Sequence, residues 1–96
     1  MRHSCYWFFE TLATKLKTDI IVLLSEKPSS VSALSKRLRQ ERSKVSHALL
    51  SMQECGFVSA KKKGRERVYS LNSKTMKPLL RLIDRHVQEY CKICKK

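Results

Sequence analysis

Two groups of five side chains offer most of the chemistry in this sequence. Arg42, Ser43, Lys44, Ser46 and His47 fall within six residues, and Lys61, Lys62, Lys63, Arg65 and Arg67 within seven. A guanidinium presents a planar fork of donors that fits guanine O6 and N7 or two phosphate oxygens, whereas an ammonium acts on phosphate as a point charge. Hydroxyls and an imidazole between such cations can hydrogen-bond base edges or phosphates. No acid interrupts the chain from Arg42 to Gln53. The whole chain agrees in sign, with 21 Lys and Arg against eight Asp and Glu and a net charge of +13 over 96 residues. A balance that basic points to nucleic acid or to an anionic membrane.

Membrane is the weaker of these two readings. The longest apolar run, Ile20 to Leu24, is far too short to span a bilayer. Residues 5–9, Cys-Tyr-Trp-Phe-Phe, follow one arginine but lack the long apolar region and small-residue cleavage site of a signal peptide. An intracellular protein whose partner is duplex DNA is therefore expected. No buried base oriented by a third group and no phosphate-cradling glycine loop can be assembled from the Ser, His and acidic residues, so neither an enzyme nor a small-molecule substrate is expected.

Four cysteines are many for an intracellular chain this short. Cys91 and Cys94 stand three apart in what reads as the last helix, so both thiols share a face. With Cys5 and His3 they would make a Cys3His-like zinc set. The competing readings are a disulfide from Cys5 to Cys91 or Cys94, within or between subunits, and simple packing of free thiols. The low Asn and Gln content, one and three, is compatible with heat adaptation, in which cytosolic disulfides occur. Cys55 is expected in the core. Asp84 and His86, two apart on a helix, face different ways and read as surface residues.

Apolar spacing supplies the elements that position these groups. Residues 5–13 read as a helix carrying Cys5, Phe8, Phe9, Leu12 and Leu16, with Trp7 off the stripe. Lys15 to Glu26 forms a second, ended by Pro28, since proline disfavours helical geometry in the residue before it. Ser29 or Ser30 caps a third, Val31 to Leu38, in which Val31, Leu34 and Leu38 face inward. After the turn Arg39-Gln40-Glu41, a fourth helix runs from Arg42 to Cys55 with Val45, Leu49 and Met52 inside and Gly56 as its C-terminal cap. Two strand-like runs, residues 57–60 and 67–71, flank a basic turn, residues 61–66, in which Gly64 permits positive φ. A last helix of about 20 residues starts near Ser73, with Met76, Leu79, Leu80, Ile83, Val87 and Tyr90 on one stripe.

The resulting class is mainly α with a small β-hairpin, in the order α-α-α-α-β-β-α over a single domain, residues 1–96. This is the order of a winged helix-turn-helix. It directs the polar face of helix 42–55 to a major groove and the basic wing, residues 61–67, to the flanking backbone or minor groove. The segments Thr11 to Glu26, Val31 to Leu38, Ser43 to Leu49 and Gly64 to Leu71 resemble ArsR-type regulators over most of residues 8–90, and also suit MarR-type and small archaeal or viral winged-helix proteins. That resemblance implies a homodimer on a palindromic operator. Residues 5–16 and 73–94 supply more apolar surface than a domain this small needs, and are the expected dimerisation helices. ArsR-type metal sensors often carry Cys-x-Cys near the start of the third helix. Ser30 and Ser32 stand there instead, which disfavours that thiolate site. A protein-interaction winged helix, or a metal- or redox-responsive regulator using Cys5, Cys91 and Cys94, is the alternative.

Overall fold

Short-range capping sets most of the helix limits in the computed structural model, which describes residues 5–94. Helix α1 spans Cys5–Leu12 and α2 spans Lys15–Glu26. The Thr14 hydroxyl starts α2 by accepting the Lys17 N–H, and extended Lys27, just before Pro28, ends it. Ser30 caps α3, Val31–Leu38, by accepting the Ala33 N–H at 3.1 Å. Arg39 then takes a left-handed conformation at φ 55°, the only non-glycine among the described residues to do so. Its N–H and that of Gln40 donate to the carbonyls of Lys36 and Ser35, closing the last turn of α3.

Helix α4 covers Arg42–Glu54. Gly56, at φ +78°, ends it: its N–H donates to the Gln53 carbonyl and that of Phe57 to the Met52 carbonyl. A glycine adopts this geometry without the steric penalty a Cβ would bring. Ile20, Ile21, Leu24, Leu34, Val45, Leu49, Met52 and Phe57 form the centre of the core, closed by Val58, Tyr69, Leu71 and Met76. The sequence placed Cys55 in that core, but it is exposed, because Met52 and Phe57 on either side occupy the inward positions. Its thiol lies 3.5 Å from the Thr11 hydroxyl.

The sheet exceeds the expected hairpin. Strand β2 is Val58–Lys63 and β3 is Glu66–Leu71, so Lys61, Lys62 and Lys63 belong to a strand and not to a broad basic turn. Only Gly64 and Arg65 turn, with Gly64 at φ +62°. Cross-strand backbone pairing carries β2 outward through the lysines, which side-chain pattern alone does not reveal. A third strand, β1, is just Ser29–Ser30 and pairs antiparallel with β3, Ser29 opposite Tyr69 and Ser30 opposite Val68. The order is β1-β3-β2.

Helix α5, Met76–Tyr90, has 15 residues, about 22 Å at the usual rise and shorter than expected at both ends. At its start, the Asn72 side chain accepts the N–H groups of Lys74 and Thr75 and so holds residues 73–75 in a turn. The same side chain donates to the Gly56 carbonyl at 3.0 Å. One asparagine thereby joins the end of α4, the end of β3 and the start of α5. At the far end Cys91 is extended and residues 92–94 form a turn, so Cys91 and Cys94 do not lie on a helix. Cysteine and β-branched isoleucine are weak helix formers, and Ile93 stays exposed, so its burial does not offset that here. No described helix is long and apolar enough to cross a membrane.

Candidate nucleic-acid interface

Burial of Val45, Ala48, Leu49 and Met52 orients α4, and what remains outside is the polar set. Arg42, Ser43, Lys44 and His47 are exposed and Ser46 is half-buried. The α4 N-terminus is itself open. Its cap residue, Glu41, makes no side-chain capping bond, so the first N–H groups are left for an outside acceptor. Such a helix end favours anions.

The exposed residues split between two sides of the helix. Arg42 and Ser46, one turn apart, join Leu50 and the wing residues Arg65, Glu66 and Arg67 around a groove of about 270 Å³. Ser43, Lys44 and His47 face α2 and share an apolar concavity of about 490 Å³ with Thr14, Leu16 and Lys17. Ser51, one turn beyond His47, turns to α2 as well and accepts from the Lys17 ammonium at 3.3 Å.

The wing cations are also divided. In a strand successive side chains alternate faces, which sets Lys61 and Lys63 opposite to Lys62. Lys62 stands directly across from Arg67. Like charges facing each other across a ladder are unfavourable, and an anion between them relieves the repulsion. None of the three lysines lines the groove that holds Arg65 and Arg67.

Sequence reasoning missed several residues that border these surfaces. Leu50 stays half-exposed on the outer side of α4, and Ser30, Val31 and Ser32 edge the groove because β1 ties the start of α3 to β3. A two-residue strand has no periodicity to detect. Thr14, just before α2, and Lys17 in it could have been suspected only as a cap and an exposed cation.

The cysteine expectations fare differently. Cys55, Cys91 and Cys94 are free thiols, and the side chain of Cys5 and all of His3 lie outside the described residues, so the arrangements that need them have no geometry here. Among the described residues no group of three His, Cys, Asp or Glu is close enough to hold a metal ion. Cys91 and Cys94 do meet: a hydrogen bond from the Cys94 thiol lowers the pKa of Cys91 and raises that of Cys94. His86 stacks on Tyr90 with ring centres 5.3 Å apart.

Comparison with known proteins bears on this geometry. The family model described as the sugar-specific transcriptional regulator TrmB matches residues 21–75, from α2 through the wing. No curated protein matches the chain. Among solved structures, Rv0081 from M. tuberculosis is 27% identical with a TM-score of 0.82, over 93% of this chain and 90% of that one. Reduced HlyU from Vibrio cholerae is 25% identical with a TM-score of 0.74, over 92% and 90%. The winged helix-turn-helix domain of Mb0332 from Mycobacterium bovis, described as homodimeric and possibly of the ArsR family, shares the fold at 20% identity and a TM-score of 0.82, over 88% and 79%. All three come from bacteria, and none speaks for the archaeal or viral source that the sequence suggested. The chain belongs to the TrmB family of transcriptional regulators by its helix-turn-helix and wing, and its whole-chain architecture is the winged helix-turn-helix it shares with HlyU and Rv0081.

Proposed function

We propose that the protein is a homodimeric, sequence-specific reader of duplex DNA, with α4 in the major groove and the wing on the flanking backbone or minor groove. The observation that carries this reading is the groove in which Arg42 and Ser46 of α4 meet Arg65 and Arg67 of the wing. On this reading base-reading and phosphate-holding side chains stand side by side there, the division of labour such interfaces use. Arg42 and Ser46 take base edges on the wing side, and Ser43, Lys44 and His47 act on the α2 side. Lys61, Lys62, Lys63, Arg65 and Arg67 hold phosphates.

Two-fold symmetry is supported by exposed apolar side chains on the terminal helices, including Trp7, Phe9, Leu82 and Ile83. Pairing through residues 5–16 and 73–94 would cover them and set two copies of α4 about one DNA turn, ~34 Å, apart. The relative Mb0332 is described as homodimeric.

Selection of bound sequences from a random duplex pool tests the reading, and a palindrome with that spacing is expected. Arg42→Gln should then lower discrimination at one base pair by about 1–3 kcal/mol. Replacing Lys61, Lys62 and Lys63 by Gln should weaken all sequences alike and flatten the log–log salt slope by about 0.9 per lost phosphate contact. No retention of duplex at low salt would sink the proposal and return the basic face to the protein-interaction alternative.

A further inference from the structure

The same groove has a shape and a donor set that go beyond general positive charge. Three separate elements build it: the first residues of α3, the outer side of α4 and the base of the wing. Their relation is fixed by backbone, since β1 immediately precedes α3 and pairs with β3, Ser30 opposite Val68, next to Arg67. Arg42 and Ser46 lie one turn apart on α4 and so share a face.

Arg42, Arg65, Arg67, Ser32 and Ser46 line this volume of about 270 Å³, within side-chain reach of one anion for their guanidinium and hydroxyl groups. The N-terminus of α3 adds backbone donors. Its capping serine accepts the Ala33 N–H, while the N–H groups of Val31 and Ser32, the first two of the helix, have no intrahelical acceptor. Val31 and Ser32 both border the groove. The ion pairs among the described residues are Lys15–Asp19, Glu26–Arg37 and Arg85–Glu89, so none engages the three arginines. One carboxylate, Glu66, stands at the rim, leaving the side chains of the groove with an excess of positive charge.

We infer that this groove is a preformed seat for one phosphate group, held by Arg42, Arg65, Arg67 and the start of α3. Guanidinium groups and helix-terminal N–H groups match tetrahedral oxyanions in charge and direction. A backbone phosphodiester of DNA and the phosphate of a free small ester present the same chemistry. The seat deepens the DNA-binding reading by giving Arg42 a phosphate in place of a base edge, so that Arg42→Gln weakens all sequences alike instead of relaxing one base pair, and it rests on that reading only for its second test. Because the seat spans α3, α4 and the wing, its occupant also fixes the wing against α4.

The first test needs no DNA. Inorganic phosphate is titrated into 15N-labelled protein at constant ionic strength, balanced with chloride. The amides of Val31 and Ser32 and the Nε groups of Arg42, Arg65 and Arg67 should shift together and saturate, while Lys15 and Lys77 stay still. Arg42→Gln should weaken this binding about two- to fivefold, the range expected of an exposed charged pair. Glu66→Gln should tighten it by a similar factor, a gain that general surface charge does not produce at one position. Unsaturable shifts, shifts shared equally by Lys15 and Lys77, or indifference to both substitutions would overturn the inference.

In the second test phosphate is added to the complex with a selected duplex, again at fixed ionic strength. Displacement beyond the chloride control, abolished by Arg42→Gln, assigns the seat to a DNA phosphate. Simultaneous binding of both assigns it to a free phosphate ester. If the protein binds no duplex, the DNA reading fails while the first test still decides the seat.

Discussion

From Ser29 to Leu71 every large apolar side chain except Leu50 is buried or half-buried. Along α1 and α5, by contrast, Tyr6, Trp7, Phe9, Leu82, Ile83 and Tyr90 are all exposed. The central segment is satisfied once α2 is added: α3 and α4 close with α2 on the sheet and turn a polar, cationic face outward. The ends are only half-satisfied. Phe8 packs edge-on against Phe57 with ring centres 4.9 Å apart, and Met76, Leu79 and Leu80 hold the start of α5 to the core. Beyond those anchors the terminal helices present apolar surface to water, which a lone small domain rarely does. The contrast separates what makes the fold from what would make an assembly.

Three measurements would break or sharpen that separation. Leu49, fully buried in the centre, should cost about 2–5 kcal/mol on replacement by Ala in urea or thermal denaturation. A loss under about 1 kcal/mol would mean that the centre does not carry the fold. At the ends, joint replacement of exposed Trp7 and Leu82 by Glu should leave the far-ultraviolet circular dichroism unchanged. It should weaken self-association by about 100-fold or more in sedimentation equilibrium, the scale of losing a buried aromatic anchor. A wild-type chain that stays monomeric at tens of micromolar would remove the proposed role of these helices.

The smallest effect concerns the tip of the C-terminal region. The hydrogen bond from Cys94 lowers the pKa of Cys91 and raises that of Cys94, so Cys91 holds more thiolate near neutral pH. It should alkylate a few-fold faster than Cys94 at pH 7.5, read by mass spectrometry, with the gap closing as pH rises above both pKa values. Equal rates at neutral pH would show that residues 91–94 do not keep their turn.

Local chemistry made most of the helices legible. Proline after α2, a serine before α3 and a glycine after α4 act on neighbouring backbone groups, so Lys15–Glu26, Val31–Leu38 and the end of α4 within one residue could be read from the chain. The inward stripe of α4 followed from periodicity alone, and with it the outward direction of Arg42, Ser43, Lys44 and His47. The left-handed turn at Arg39 was not legible, because arginine has no preference for it; the closing bonds of α3 impose it. Neither was the part played by Asn72, whose hydrogen bonds reach Gly56 as well as its own neighbours.

Composition and spacing by themselves determined a basic, mainly helical chain with a helix-turn-helix, a wing and a cationic α4 face, since each depends on residues close in sequence. Only the tertiary structure decided how that face is partitioned. Pairing of β1 with β3 brings Ser32 within the same groove as Arg42, Arg65 and Arg67, residues that are 10 to 35 positions apart from it in the chain. Pairing of β2 with β3 moves the three lysines out of the turn. Both outcomes rest on backbone hydrogen bonds between distant segments, and such bonds are open to almost any side chain, so the residue types along the chain hold little record of them.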